Sequence, residues 1–258
     1  MPAPMLPGAA PISAAGGPGG ALLVHGFCGS PFGMRRTAEK LAAKGTSVEA
    51  PLLPGHGTAV EDLVPLRWGD WAEAAEEAYT ALRSRCPRVA VVGHSMGGAL
   101  ACWLAERHPE IRGLALVNPL VEPFDDEIRS GARALIESGT TVWKGEGPDT
   151  ADPAASSPSY EGAPVAAFLS LNEGLEEVAL ALGTIECPVL LLSSRADHVV
   201  PSVNGDLVAS SVLGPVERVW LERSYHNAMV DYDHEEVEDR IEAFVTAVTA
   251  RAPGEEET

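Results

Sequence analysis

A serine nucleophile is the first chemistry that the sequence suggests. The stretch Gly93-His-Ser-Met-Gly97 matches Gly-x-Ser-x-Gly, a pattern that places its serine on a sharp turn between a strand and a helix. The apolar run Val89 to Val92 precedes it, as expected of a buried strand, and helix-forming sequence from Ala99 to Arg107 follows. Glycine on both sides allows the tight turn, which exposes the hydroxyl of Ser95 at a helix N-terminus. The motif therefore predicts acyl transfer through Ser95, against the alternative of a serine that only caps the helix.

A serine hydroxyl needs a general base, normally a histidine. Seven histidines compete for this role. In the chain order Ser…Asp/Glu…His, the base lies in the loop after the final strand of the sheet. His226, within Arg223-Ser-Tyr-His-Asn227, satisfies both the order and the location. It is the predicted base, against the alternative of a histidine that is simply satisfied in a surface loop.

The base in turn needs a carboxylate that holds it in the correct tautomer. Asp197 directly follows the predicted strand at 188–193, at the sheet end where reactive groups of parallel sheets lie. Asp231 and Asp233 come after His226 and are predicted to cap the last helix. Asp197 is therefore the predicted acid of the triad.

Two backbone N–H groups are predicted to stabilise the tetrahedral oxyanion. One belongs to Met96, directly after the nucleophile, and the other to Phe27, in the loop after the first long strand. Gly26 and Gly29 allow that loop to approach the serine closely. A glycine turn after a strand is common, so the assignment of Phe27 as an oxyanion donor depends on the presence of Ser95 in the same sequence.

Other side chains near these motifs are open to two interpretations. Cys28 adjoins the oxyanion loop and could be a second nucleophile, but it has no evident histidine partner, which favours a small buried thiol. Aromatic residues could line an acyl pocket, although such residues at helical spacing more often belong to a core. They are Trp68, Trp71, Phe124 and Trp143.

Strands and helices alternate along most of the chain, which predicts an α/β fold with a mostly parallel central sheet and helices on both faces. Residues 1–20, rich in Pro, Gly and Ala, are predicted to be a flexible leader. The core is assigned to residues 21–119 and 187–252. Residues 120–186 lack strand signals and include the loop-like run Gly145 to Pro164, so they are predicted to be an inserted cap or lid.

The predicted elements follow from hydrophobic pattern and from glycine and proline punctuation. Strands are expected at 21–27, 46–50, 89–92, 113–117, 188–193 and 217–221. Helices are expected at 30–44, 71–85, 99–107, 202–212 and 234–250.

Composition narrows the class of protein further. The 258 residues, 45% of them hydrophobic, suit one large domain, and 37 acidic against 18 basic residues give a net charge of −19. Such a surface repels nucleic acid and anionic membranes. The four cysteines have no metal-ligand spacing, so neither a metal nor a cofactor is expected. No apolar stretch reaches the length of a membrane span, and residues 1–20 make a poor signal peptide. A cytoplasmic protein, monomeric by default, is therefore expected.

The chain also resembles the α/β-hydrolase superfamily, and within it the bacterial carboxylesterase and monoacylglycerol lipase group. The resemblance runs from about residue 21 to 245, and Ser-Tyr-His followed by Asp-Tyr-Asp is its most group-specific feature. The matching stretches are His25-Gly-Phe-Cys-Gly-Ser-Pro31, Leu53-Pro-Gly-His-Gly-Thr58, Gly93-His-Ser-Met-Gly-Gly98, Asp197-His-Val-Val-Pro201 and Ser224-Tyr-His-Asn-Ala-Met-Val-Asp-Tyr-Asp233.

The resemblance implies a serine carboxylesterase acting on short to medium-chain acyl esters, with monoacylglycerols among them, and no cofactor. It assigns the same nucleophile, acid, base and oxyanion donors as the residues do. Alternatives are a monoacylglycerol lipase proper, a thioesterase or acyltransferase with the same triad, and a non-catalytic ligand-binding protein on this scaffold. Two departures are Cys28, where the group more often has a small hydroxyl residue, and the Pro-, Ser- and Ala-rich run Gly145 to Pro164.

Overall fold

The strands of the computed structural model, which describes residues 3–145, 147–155 and 157–251, form a large sheet and a small hairpin. They are β1 (Ile12–Ala14), β2 (Gly19–Val24), β3 (Ser47–Ala50), β4 (Arg88–His94), β5 (Leu114–Val117), β6 (Val142–Lys144), β7 (Gly162–Pro164), β8 (Val189–Ser194) and β9 (Val216–Leu221). The large sheet has the order β1-β3-β2-β4-β5-β8-β9. Only its edge strand β1 is antiparallel to its neighbour. The predicted mostly parallel sheet is confirmed.

Helices cover both faces of this sheet. They are α1 (Arg35–Ala43), α2 (Val60–Leu63), α3 (Trp68–Arg83), α4 (Met96–Arg107), α5 (Asp126–Glu137), α6 (Val165–Ala181), α7 (Val203–Ser211) and α8 (His234–Thr249). Successive side chains of β2 point to opposite faces: Leu22 and Val24 pack with α3, α4 and α6, while Ala21 and Leu23 pack with α1 and α8. None of the described helices is long and apolar enough to cross a membrane.

The N-terminal segment differs from its prediction. Residues 12–14 pair with β3, with Ile12 opposite Ala50, and residues 19–20 already belong to β2. The prediction of a flexible leader up to residue 20 is therefore wrong for residues 12–14 and 19–20. The physical reason is that β3 would otherwise be an open edge of the sheet, and a three-residue strand among glycines and prolines leaves little trace in the sequence. Residues 1 and 2 of the predicted leader lie outside the described residues.

Residues 120–186 interrupt the alternation between β5 and β8, as predicted, but they are not strandless. β6 and β7 pair antiparallel, with Val142 opposite Pro164. The helix α6 buries Leu171, Leu175 and Val178 in the same hydrophobic cluster as α4. This part of the segment is consequently fixed to the core. Positions 146 and 156 of the loop-like run, and position 252 at the end of the predicted core, lie outside the described residues.

A buried carboxylate on α4 makes stability depend on pH. The side chain of Glu106 is 3% exposed, and its two oxygens have no hydrogen-bond partner in the described part of the chain. Burial raises its pKa from 4.5 to about 8, although the charge of Arg107, 3.6 Å from Oε2, acts in the opposite direction. The fold therefore favours the protonated form, and stability falls as pH rises from about 4.5 to about 8.

We expect Glu106→Gln to melt above the wild type at about pH 9 and close to it at about pH 4, because the amide cannot ionise. Thermal unfolding at the two pH values measures this, with the exposed Glu39→Gln as a control. A melting difference that does not change with pH would contradict the expectation.

Candidate active site

Ser95 is the single residue between β4 and α4, and its backbone is held in an unusual conformation. Its φ of 54° and ψ of −122° lie in a region that residues other than glycine rarely adopt. The Ser95 N–H donates to the carbonyl of Val117 at 3.1 Å, and the Ser95 carbonyl accepts from Leu120 N–H at 3.1 Å. Hydrogen bonds to β5 and to the residues just after it thus hold the strained turn that the sequence motif predicts.

The predicted base and acid are hydrogen-bonded to each other. His226 lies in the loop after β9, and its Nδ1 is 2.8 Å from Oδ2 of Asp197. Both side chains are buried, with 8% and 4% exposed. Burial alone would raise the pKa of Asp197, but the hydrogen bond and charge of His226, together with the N–H groups of Val200 and Val199, hold it below its ordinary value. An ionised Asp197 on Nδ1 leaves Nε2 of His226 as the nitrogen for proton transfer.

Two residues that the sequence analysis did not assign hold the backbone of His226. Its carbonyl accepts from Nδ2 of Asn118 at 2.8 Å and lies 3.0 Å from Nε2 of His94. Burial and the neighbouring His226 lower the pKa of His94 to about 4, so His94 is a neutral donor near neutral pH. Asn118 also has a positive φ of 44°. Its place directly after β5, at the same sheet edge as Ser95, is the signal that could have identified it.

The predicted oxyanion donors belong to two segments that flank Ser95. A Cβ built on Gly26 would lie 3.1 Å from Cβ of Ser95, so the loop after β2 approaches the serine as closely as glycine permits. Phe27 follows, with its ring packed edge-on against Trp71 at 5.5 Å. Met96 is the first residue of α4, where an N–H has no acceptor within the helix. The arrangement is suited to the predicted pair of donors, which remains a prediction.

The residues on either side of Phe27 stabilise this loop. The Nδ1–H of His25 donates to the carbonyl of Gly26 at 2.9 Å, and its Nε2 accepts from Leu53 N–H at 3.1 Å. Burial lowers the pKa of His25 well below its ordinary value, so the ring is neutral. Burial also raises the pKa of the Cys28 thiol to about 12, and its Sγ lies 3.7 Å from the carbonyl of Gly162. A protonated, half-buried thiol is a poor second nucleophile.

Ser95 and His226 line one pocket of about 560 Å³, together with the loop after β2 and residues from the 120–186 segment. Among the described residues its charged lining consists of carboxylates, without Lys or Arg. They are Glu122, Asp125 and Asp149. Phe124 and Trp143 line the pocket and pack with Phe168, whereas Trp71 is fully buried in the core. No group of three or more metal-binding side chains was found in the described part of the chain.

This strand order and this nucleophile turn can be compared with known families. The model of the alpha/beta hydrolase family matches residues 21–240. The chain belongs to the alpha/beta hydrolase family. The match covers all the predicted site residues, from Phe27 to His226, and agrees with the resemblance read from the sequence motifs.

Curated relatives and solved structures cover nearly the whole of this hydrolase. It is 38% identical to the thermostable monoacylglycerol lipase of Bacillus sp. (strain H-257), over 92% of this chain and 94% of the relative. It is 24% identical to a carboxylesterase of Bacillus subtilis (strain 168), over 91% and 95%. A solved structure from work on LipS and LipT, two metagenome-derived lipolytic enzymes, is 34% identical, with a TM-score of 0.89 over 95% of this chain and 100% of that one.

Asp231 and Asp233 of the hydrolase do not cap α8 through their side chains, contrary to the prediction. The carboxylate of Asp233 accepts from the N–H groups of Arg223 and Ser224, at 2.9 Å each. That of Asp231, fully buried, accepts from Tyr225 N–H at 2.9 Å and from three further backbone N–H groups. Both carboxylates are occupied by the loop that carries His226, which explains why they do not bond to the helix.

Close packing at the nucleophile turn makes Gly97 sensitive to substitution. A Cβ on Gly97 would lie 2.0 Å from the carbonyl of Val24, whereas a Cβ on Gly69 in α3 would meet nothing within 4 Å. We expect Gly97→Ala to lower the melting temperature by about 5 °C or more and to reduce esterase activity, because β2 and α4 must separate. Gly69→Ala should match or exceed wild-type stability. Equal melting temperatures for the two variants would contradict this account.

Proposed function

We propose that this hydrolase cleaves short to medium-chain carboxylic esters through an acyl-enzyme on Ser95. The observation that carries the proposal is the placement of Ser95 and His226 in one pocket, with Asp197 hydrogen-bonded to His226 at 2.8 Å. The close relationship to a monoacylglycerol lipase makes the chain an ester hydrolase, which agrees with this arrangement.

In the proposed reaction Nε2 of His226 removes the proton of Ser95, whose Oγ attacks the ester carbonyl. The N–H groups of Phe27 and Met96 would stabilise the oxyanion of the tetrahedral intermediate. The imidazolium then protonates the leaving alcohol, and the acyl group stays on Ser95. Water, activated by the same base, hydrolyses the acyl-enzyme and returns Ser95 to its starting state.

The charge of the pocket favours uncharged substrates. Because its charged lining, among the described residues, consists of carboxylates, an anionic leaving group such as coenzyme A would be repelled. A monoacylglycerol has an uncharged glycerol as its leaving group, and the lining contains several apolar side chains that suit an acyl chain. They include Phe27, Leu120, Phe124, Ile128, Trp143 and Phe168. Monoacylglycerols are therefore the proposed preferred esters.

Residues 120–186 line the pocket through α5, the β6–β7 hairpin and α6, which supports a role as its cap. The net charge of −19 suits a cytoplasmic protein that acts on small molecules. We take the monomer as the functional unit, since the proposed site uses residues of one chain.

A substrate series tests this proposal. Monoacylglycerols of increasing acyl chain length would be compared with acyl-coenzyme A thioesters of the same acyl groups, by kcat/KM. We expect about 10-fold or greater preference for the uncharged ester at matched chain length, with an optimum among short to medium chains. A preference for the thioester would favour the thioesterase or acyltransferase alternative. Stoichiometric binding of esters without turnover would favour the ligand-binding protein.

A further inference from the structure

One carboxylate of the 120–186 segment bridges the loops that carry the proposed acid and base. Oδ2 of Asp149 accepts from the backbone N–H of His226 at 3.0 Å and from that of His198 at 3.2 Å. Its Oδ1 lies 2.9 Å from Nδ1 of His198, and its side chain is only 16% exposed. His198 directly follows Asp197. A single side chain from the inserted segment thus contacts both loops that must be aligned for proton transfer.

A second set of hydrogen bonds joins the inserted segment to the loop that carries His226, with the acceptor carboxylate now in that loop. The buried carboxylate of Asp231 accepts from the N–H groups of Ala151 and Asp152, at 2.7 and 2.8 Å, and from Tyr225 next to the base. The carbonyl of Asp149 accepts from Asn227 N–H at 3.0 Å. We call residues 149–152 the bridging segment. The bridging segment thus supplies a carboxylate that accepts from the loop at 225–232, and that loop supplies a carboxylate that accepts from the bridging segment.

Resting on the proposed function, we infer that Asp149 is a positioning residue for His226. Asn118 and His94 fix the carbonyl of His226 from the sheet, but its N–H is fixed by Asp149, from the inserted segment. The backbone of His226 is therefore held at both its carbonyl and its N–H, and the hydrogen bond to the N–H depends on residues 120–186. The segment that lines the substrate pocket would also complete the catalytic geometry.

The chemistry of Asp149 distinguishes this role from others. Proton transfer depends on placement, and a displacement of about 1 Å can cost about 10²-fold in rate. Within the described part of the chain, the hydrogen-bond partners of the Asp149 carboxylate are groups of His198 and His226, so it acts through the base and needs no contact with the ester. Because it also lines the pocket, a contact with substrate is the competing interpretation, and the two differ in their effect on KM.

Three variants test the inference. Asp149→Ala removes both acceptors. Asp149→Asn keeps an oxygen for the two backbone N–H groups and turns its amide towards Nδ1 of His198, which can accept in its other neutral tautomer. Asp152→Ala is the matched control, because it removes one carboxylate from the same bridging segment. Among the residues that the structure describes, the side chain of Asp152 accepts a hydrogen bond only from the N–H of Ala154, at 2.8 Å.

Steady-state hydrolysis of p-nitrophenyl butyrate gives kcat and KM for each variant. We expect Asp149→Ala to lower kcat by about 10-fold or more with KM within about 3-fold, while Asp149→Asn and Asp152→Ala stay within about 3-fold of the wild type in both. Unchanged kcat in Asp149→Ala would overturn the inference. So would an increase in KM alone, an equal loss in Asp152→Ala, or a failure of Asp149→Asn to restore kcat.

Two further variants separate this inference from the proposed function and from simple unfolding. Ser95→Ala, measured alongside, must lose about 10³-fold or more in kcat if the site is right; a Ser95→Ala variant with wild-type kcat contradicts the proposed function whatever Asp149 does. If Asp149→Ala does not fold, Asp149→Glu replaces it, since one added methylene displaces the carboxylate while keeping its charge. Asp149→Glu must then lower kcat at unchanged KM, and wild-type kcat in this variant would overturn the inference.

Discussion

Ser95→Ala is expected to lower kcat for p-nitrophenyl butyrate by about 10³-fold or more, because the variant has no oxygen on which the acyl-enzyme can form. The pocket and the oxyanion loop would remain, so a small residual rate above that in water is expected. Stopped assays over long incubations measure such low rates. Melting temperatures measured in parallel should agree closely, since the hydroxyl contributes little to the core.

A second serine of the pocket supplies the control for this variant. Ser159 also lines the pocket, in the run between β6 and β7. Ser159→Ala is expected to retain kcat within about 3-fold of the wild type, which would exclude a general effect of removing a pocket hydroxyl. Equal activity of Ser95→Ala and the wild type would show that the nucleophile has been assigned wrongly.

Asp197→Asn is expected to lower kcat by about 10⁴-fold without unfolding the protein. Oδ1 of Asp197 accepts from the N–H groups of Val199 and Val200, at 2.8 and 2.7 Å. An asparagine must therefore keep its carbonyl oxygen there and present its NH₂ group to Nδ1 of His226. That arrangement favours the tautomer with its proton on Nε2, which cannot accept the proton of Ser95.

High pH would restore the activity of Asp197→Asn only if a base other than His226 took the proton of Ser95. The loss of kcat in this variant should therefore persist at neutral pH. Asp206→Asn is the matched control, since Asp206 lies on α7 and pairs with Arg218 on the surface. It should retain wild-type kcat. A loss of less than about 10-fold in Asp197→Asn would mean that this carboxylate does not orient the base.

The parts of the fold that could be predicted are those with strong local signals. The run before Ser95 is continuously apolar because β4 is buried on both faces, and the glycines around the serine are required by close backbone contacts. The sequence order of Ser95, Asp197 and His226 then selects one histidine out of seven. The structure places each of them at the end of the expected element, although their catalytic roles stay predictions.

The parts that could not be predicted depend on long-range contacts. β1, β6 and β7 have three residues each and exist through their pairing partners, so their own residues carry almost no pattern. Asp149 lies 77 residues from the histidine whose N–H it accepts, in a run that looks like loop. Asp231 has the sequence position of a helix cap, yet its carboxylate bonds to backbone groups of the bridging segment.

The most direct test of the central claim is covalent labelling with a fluorophosphonate, followed by peptide mapping. The Oγ of an activated serine attacks the phosphorus of the probe, fluoride leaves, and a stable phosphonyl ester forms at Oγ. The account predicts about one label per chain on the peptide that contains Ser95, loss of that label in Ser95→Ala, and much slower labelling in His226→Ala. Stoichiometric labelling of a different residue, or equal labelling of Ser95→Ala and the wild type, would contradict the account.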